Sequence, residues 1–301
     1  MKFKKTVNDI KSLKIQGAEN IAKESVKALY YIIHKTKTHK PSPLLKELDM
    51  ARRQLIGARP TEPCMRNALN YVLKNVRKTD HVHTVMEIDR NIKYVLNYFH
   101  TAEKKIAEIG VNTIRKNYVV HTHCHSSTVM MIMAKAKFNK IPFQVHNTET
   151  RPKFQGRITA TELSALGVPV KHYVDSAVRL ALKKADVFLF GADAIQSNGR
   201  IINKIGTELF LEIARKYDIP TYACALSWKF DPLTVYDVDE PLENRNPDEV
   251  WKKPPKNVTI VNPAFEIVDP ELVTGVISEL GVYKPEVFVD EVRRTQSWMF
   301  K

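Results

Sequence analysis

The run HTHCHSST, from His121 to Thr128, sets one thiol among three imidazoles and four small hydroxyls. Where such a run closes a strand and opens a helix, unpaired N–H groups and the positive end of the helix dipole lower a thiol pKa. Cys124 is then a candidate base or nucleophile. The same N–H groups, with Ser126, Ser127 and Thr128, suit a phosphate. Two other readings stay open. Cys124 can be a small buried thiol, as most lone cysteines are. Or His121, His123 and His125, alternating on one strand face, can ligate zinc beside it. The rest of the chain supplies no obvious partner set for a metal, so the histidines are expected to support the loop or fill the core.

A second chemical run is GADAIQSNGRIINKIGT, from Gly191 to Thr207. Asp193 follows an apolar segment and lies between small residues. Burial there would raise its carboxyl pKa and keep it protonated as an acid. A helix cap or a structural ion pair explains the same residue equally well. Ser197-Asn198-Gly199 reads as a turn, and Asn203 and Lys204 precede a helix where a phosphate can bind. The loop NTETRPKFQGRITATEL, from Asn147 to Leu163, is crowded with Glu149, Arg151, Gln155, Gly156 and Arg157. Its arginines can brace anions or simply pair with Glu149 and Glu162. Lys229, in ALSWKFDP, is a further cation near an expected strand end.

These residues need elements to position them. The first 112 residues read as successive helices. Met65, Leu69, Val72 and Val76 recur at helical spacing, as do Met86, Ile92, Leu96, Phe99 and Ile106. GARPTEP, Gly57 to Pro63, breaks the helices. From about Asn112, β-rich runs alternate with helical ones. Strands are expected at 118–122, 143–147, 170–174, 187–190, 221–225 and 258–261. Helices are expected at 127–137, 159–166, 176–184 and 207–217, with a last one opening at Asp269-Pro270-Glu271 and stopping at Gly281. This alternation predicts an α/β chain: an N-terminal helical domain (1–112), then a Rossmann-like domain (113–301) with a mostly parallel sheet. In such sheets ligands bind beyond the carboxyl ends of the strands, where all the candidate runs fall.

The bulk numbers fit. A chain of 301 residues can bury a sizeable core without disulfides. Cys64, Cys124 and Cys224 are too scattered for a disulfide framework and suit a reducing compartment. The net charge of +14 is spread along the chain, densest at Lys2, Lys4, Lys5, Lys11 and Lys14. No RNA-recognition signature accompanies it, so nucleic acid is not expected as a partner. No stretch approaches the roughly 20 apolar residues of a bilayer span. The basic N-terminus lacks a secretory apolar core. A cytoplasmic protein with no membrane partner is expected. Dinucleotide, P-loop and nucleophile-elbow motifs are absent. The residues alone point to acid–base chemistry on a phosphorylated small molecule, with no metal and no cofactor.

Taken together, HCHSST, NTETRP–QGR–TA–EL, GADAI–NG–INKIGT and NPAFEIVDPELV resemble the ribose-1,5-bisphosphate isomerases. These are relatives of the alpha, beta and delta subunits of translation initiation factor 2B and of methylthioribose-1-phosphate isomerase. The resemblance runs from about Ile15 to Gly281 and keeps the motifs in order. It implies that Cys124 is the base and Asp193 the proton donor in conversion of ribose 1,5-bisphosphate to ribulose 1,5-bisphosphate. It implies substrate contacts from Gln16, Gly17, Ala18, Glu19, Arg59, Ser126, Ser127, Thr128, Asn203, Lys204 and Lys229. The family's first loop usually opens Arg-Gly-Ala, whereas here it reads Gln16-Gly17-Ala18, one cation fewer. The resemblance further implies AMP metabolism feeding Rubisco, AMP as a candidate activator, and dimers assembled into hexamers. A non-enzymatic subunit binding a translation GTPase or a nucleotide is the alternative within the same fold. Having both a thiol and an acid argues against it.

Overall fold

The run Val187–Gly191 (VFLFG) is buried at every position, as a strand covered on both faces must be. In a computed structural model describing residues 2–236 and 242–300, it is the central strand of a seven-stranded sheet. The chain divides into two compact units, Met1–Thr101 and Ala102–Lys301.

The first unit is helical: α1 (Lys2–Lys11), α2 (Ala18–Ile33), α3 (Pro41–Ala58), α4 (Pro63–Leu73) and most of α5 (His81–Gly110). Pro opens α3 and α4 at their first turns, where its missing N–H costs nothing. Gly17 precedes α2 at φ +83°, a conformation few other residues adopt. Along α5, Ile88, Ile92, Val95, Phe99 and Ile106 are buried at helical spacing. Two expectations shift. Met86 is 63% exposed, because the buried stripe runs through Ile88 instead. Val76 lies past the end of α4, since Asn75 turns the chain at φ +55°.

The second unit carries the sheet. Its strands are β1 (Tyr118–Thr122), β2 (Phe143–Thr148), β3 (Val170–Tyr173), β4 (Val187–Gly191), β7 (Thr221–Cys224), β9 (Gly275–Ser278) and β10 (Gly281–Tyr283). They lie in the order β10-β9-β7-β4-β1-β2-β3, parallel except for β10. The connecting helices are α6 (Ser127–Phe138), α7 (Gln155–Ala165), α8 (Val178–Leu182) and α9 (Thr207–Lys216), with α10 (Pro285–Thr295) at the end. The chain leaves β1 toward β2 and β3, then returns to place β4 on the other side of β1. The order therefore reverses between β1 and β4, which creates the crevice where open α/β sheets bind ligands. A small antiparallel sheet, β5 (Ala194–Ile195), β6 (Ile201–Lys204) and β8 (Phe265–Val268), packs Ala194, Ile202, Ala264 and Phe265 together. The fold class expected from the sequence is the one found.

Two C-terminal expectations fail. Residues 258–261 form no strand: Val258 and Val261 are 41% and 77% exposed, and prolines flank the segment on both sides. Residues 269–281 form no helix. Asp269 does cap, accepting the Glu271 N–H at 3.1 Å, but only for the single turn Pro270–Leu272. The buried run GVIS then enters the sheet as β9 beside β7. Among the described residues no helix is long and apolar enough to cross a membrane.

Candidate functional site

Two strand ends at the sheet's reversal point define the site. Cys124 lies two residues past β1, and Asp193 two residues past β4. The two strands pair directly, Val120 with Val187 and His121 with Phe188. Gly191 makes the approach possible: a Cβ there would lie 2.9 Å from the Cβ and Oγ of Ser126. The expected thiol and carboxyl are thus brought to one edge.

Cys124 sits in the left-handed region, φ +66°. Its N–H donates to Thr150 Oγ1 at 3.0 Å, and its carbonyl accepts from Thr159 Oγ1 at 2.9 Å. The residue is half-buried. The sequence led us to expect a lowered thiol pKa; the structure reverses that. Burial pushes the thiol up to about 11, while the Lys204 ammonium and the His125 N–H pull it down and the Asp193 and Asp175 carboxylates add to the rise. Burial is the reason, and Ser126, not Cys124, caps α6, so the thiol does not stand at the helix terminus.

The imidazoles divide as the core reading expected. His121 and His123 are buried, and desolvation holds the first well below the usual range and the second at about 4. His123 is therefore neutral at pH 7. Its Nε2–H donates to the Ile205 carbonyl at 3.0 Å, leaving Nδ1 to accept from the Thr148 hydroxyl at 2.9 Å. Thr159 spends its only proton on Cys124, so His125 Nδ1 is the donor to Thr159 Oγ1 at 3.1 Å. Among the described residues no group of three or more His, Cys, Asp or Glu is arranged to hold a metal.

Asp193 is half-buried rather than enclosed. Its N–H donates to Ile202 O at 2.8 Å, which holds it against β6 and its residues Asn203 and Lys204. Among the described residues its carboxylate makes no ion pair or hydrogen bond, and no helix begins there, so neither the cap nor the ion-pair reading describes it. Lys204 is buried with its ammonium 4.6 Å from the Phe265 ring centre. Asn203 donates to Thr207 Oγ1 at 3.0 Å. Lys229 is buried and donates to Ala192 O at 2.5 Å, one residue before Asp193.

The three hydroxyls after Cys124 differ. Thr128 donates to Cys224 O at 2.8 Å, and Ser126 in turn bonds Thr128 at 2.8 Å and caps the Val129 N–H. Ser127 is exposed at the first turn of α6. Arg151 and Arg157 both stack on Phe154, at 5.0 and 3.8 Å, and Arg157 also reaches Glu149 at 3.6 Å.

The remaining expected contacts lie in the first unit. Gln16 is exposed and donates to Leu13 O at 2.8 Å. Gly17, Ala18 and Glu19 open α2, with Glu19 buried and paired to Lys23. Arg59 ends α3, buried and paired to Glu62 at 3.2 Å. Three neighbours of Cys124 went unread in the sequence: Thr150, Thr159 and Asp175. Asp175 lies two residues past β3, so the strand-end rule applied to the third strand points to it.

A helical unit ahead of a Rossmann-like sheet, with a thiol and a carboxyl at its reversal point, defines the class. The chain belongs to the initiation factor 2 subunit family, whose pattern matches residues 14–285. It is 35% identical to the ribose 1,5-bisphosphate isomerase of Thermococcus kodakarensis, covering 97% of this chain and 94% of that one. It is 29% identical to the methylthioribose-1-phosphate isomerase of Caldanaerobacter subterraneus, covering 92% and 86%. The crystal structure of Pyrococcus horikoshii translation initiation factor eIF-2B superposes with a TM-score of 0.84 at 26% identity, covering 95% and 98%.

Proposed function

We propose that this chain isomerises ribose 1,5-bisphosphate to ribulose 1,5-bisphosphate, with Cys124 as base and Asp193 as proton donor. The observation that carries the reading is the meeting of Cys124 and Asp193 at the ends of β1 and β4 in a chain similar over nearly its whole length to such an isomerase. A protonated Asp193 gives its proton to the ring oxygen and opens the sugar. The Cys124 thiolate then removes the proton on carbon 2, giving an enol-type intermediate that takes a proton at carbon 1 and becomes the ketone. General acid–base help of this kind contributes about two to four orders of magnitude in rate.

The phosphates are assigned to Ser126, Ser127 and Thr128, to Asn203 and Lys204, and to Lys229. Gln16, Gly17, Ala18, Glu19 and Arg59 are assigned contacts from the helical domain, read as 1–112 ahead of a catalytic domain 113–301. Thr128 can meet a phosphate through its N–H, since its hydroxyl is spent on Cys224. On this reading the enzyme is a cytoplasmic homo-oligomer, dimer-based and hexameric. AMP is its activator, and the product passes to Rubisco in AMP breakdown.

The test is incubation with ribose 1,5-bisphosphate and detection of the ketone, with methylthioribose 1-phosphate run alongside. Faster turnover of the thioether substrate would overturn the bisphosphate assignment. The similarity to the P. horikoshii initiation factor favours a second reading, a regulatory subunit. Absence of turnover on either substrate, with AMP or sugar phosphate still bound, would select it.

A further inference from the structure

Cys124 carries an unusual amount of support for one small residue. Left-handed backbone costs a non-glycine residue about 1–2 kcal/mol and persists only where the surroundings fix it. Here the surroundings are two buried hydroxyls from different elements. Thr150, in the loop after β2, accepts the Cys124 N–H at 3.0 Å. Thr159, inside α7, donates to the Cys124 carbonyl at 2.9 Å. Both peptide groups of the residue are thus held by side chains rather than by the sheet ladder.

The supports are themselves held. Thr150 is also left-handed, at φ +62°. Its N–H and that of Arg151 donate to the two oxygens of Asp175, at 2.9 and 2.7 Å. His125 donates to Thr159 at 3.1 Å. Gly156, at the start of α7, has no room for a side chain, because a Cβ would fall 1.7 Å from Thr148 O. The loop after β2, the start of α7 and the turn after β3 therefore converge on one residue. A thiol that merely filled space would need none of this.

We propose that Thr150 and Thr159 are positioning residues that hold Cys124 in its left-handed conformation and so aim its thiol, with Asp175 fixing Thr150. The proposal rests on the reading of Cys124 as the base. Replacing either threonine by valine keeps its bulk and removes the hydroxyl. The released backbone relaxes, and a displacement on the order of 1 Å at a reacting group costs about 100-fold in rate.

The experiment compares Thr150→Val, Thr159→Val, Thr150→Ser, Thr159→Ser and Asp175→Asn in the full chain. Two quantities are read: kcat and KM on ribose 1,5-bisphosphate, and the iodoacetamide alkylation rate of Cys124 followed by peptide mass mapping. The valine variants are expected to lose about 10- to 100-fold in kcat with KM within about twofold, and to change the alkylation rate of Cys124 by more than about fivefold. The serine variants, which keep the hydroxyl, are expected to stay within about threefold of the parent on both readouts. Asp175→Asn is expected to fall between. Valine variants that fold, keep kcat and alkylate at the parental rate would overturn the proposal, whatever their melting temperatures. If the valine variants fail to fold, an Asp175→Asn protein with parental kcat and alkylation overturns it instead. If the parent shows no isomerase activity, the proposed function falls while the alkylation comparison still decides the positioning role.

Discussion

Asp193 faces the same crevice edge as Cys124 because β4 pairs directly with β1, each residue standing two positions beyond its strand. Two residues separated widely in sequence thereby share one electrostatic neighbourhood, in which an ionised Asp193 raises the thiol pKa and a protonated one does not. Removing either group should leave the fold intact, since neither fills the core. Cys124→Ser and Asp193→Asn are expected to lower kcat by about two to four orders of magnitude with unchanged melting temperature. Steady-state kinetics beside thermal unfolding checks this. A collapse of the fold in either variant would return these residues to structural roles.

The thiol pKa of about 11 has a direct kinetic consequence. Below that value the thiolate fraction rises about tenfold per pH unit. The alkylation rate of Cys124, and kcat/KM if the thiol is the base, should therefore climb through neutral pH and level off only in strongly alkaline solution. Lys204 is the largest influence opposing the rise. Lys204→Met should displace the alkylation curve toward higher pH. A plateau already reached at neutral pH in the parent would contradict the burial argument.

Gly191 offers a steric test of the crevice. A methyl group there would press on Ser126, whose hydroxyl caps α6 and bonds Thr128. Gly191→Ala is expected to cost about 1 kcal/mol of stability, the usual worth of an N-cap, and to impair turnover more than stability. Urea unfolding set against kcat separates the two. Parental kinetics with parental stability would mean that Ser126 moves aside freely.

Much of this arrangement was legible in the sequence, for a physical reason. Buried parallel strands such as Val187–Gly191 are short apolar runs with no polar face, and helices such as Thr207–Lys216 show their spacing openly. Strand ends then nominate Cys124 and Asp193. What stayed hidden depends on neighbours distant in sequence. Asp269-Pro270-Glu271 has the composition of a helix start, but the following GVIS run is claimed by the edge of β7. Thr150 and Thr159 look like ordinary loop and helix residues until the fold brings both to Cys124. The direction of the thiol's shift was hidden because burial, which only the fold sets, decides it, while the capping position falls at Ser126, two residues further on.

Gln16 stands where the resemblance implies an arginine, and its exposed amide donates to Leu13 O, its one side-chain hydrogen bond among the described residues. The left-handed Gly17 beside it keeps the loop's shape, and a Cβ there would meet nothing within 4 Å, so the loop has room. Gln16→Arg restores a cation without removing a tertiary contact. If this loop meets a substrate phosphate, the variant should lower KM about fivefold at low salt, the equivalent of about 1 kcal/mol, with the gain shrinking as ionic strength rises. An unchanged KM at all salt concentrations would remove the first loop from the substrate contacts.

Acid stability follows from the buried histidines. Burial holds His123 at about 4 and His121 well below its usual range, against about 6.5 for either in an unfolded chain. Both are lowered bases, so the unfolded state binds more protons between the two values. The sign is fixed: their contribution to stability is whole above about pH 6.5 and is lost progressively as pH falls toward 4. The half-buried His125 is shifted the same way by desolvation, opposed by Glu162, and adds less. Melting temperature should therefore be flat from pH 8 to 7 and drop by several degrees between about pH 6.5 and 4. His121→Phe, which keeps an aromatic ring against Phe188 and Phe210, should flatten part of that slope. A melting temperature that rises on acidification through this window would show that these imidazoles are charged in the native state, and would undo the tautomer assigned to His123.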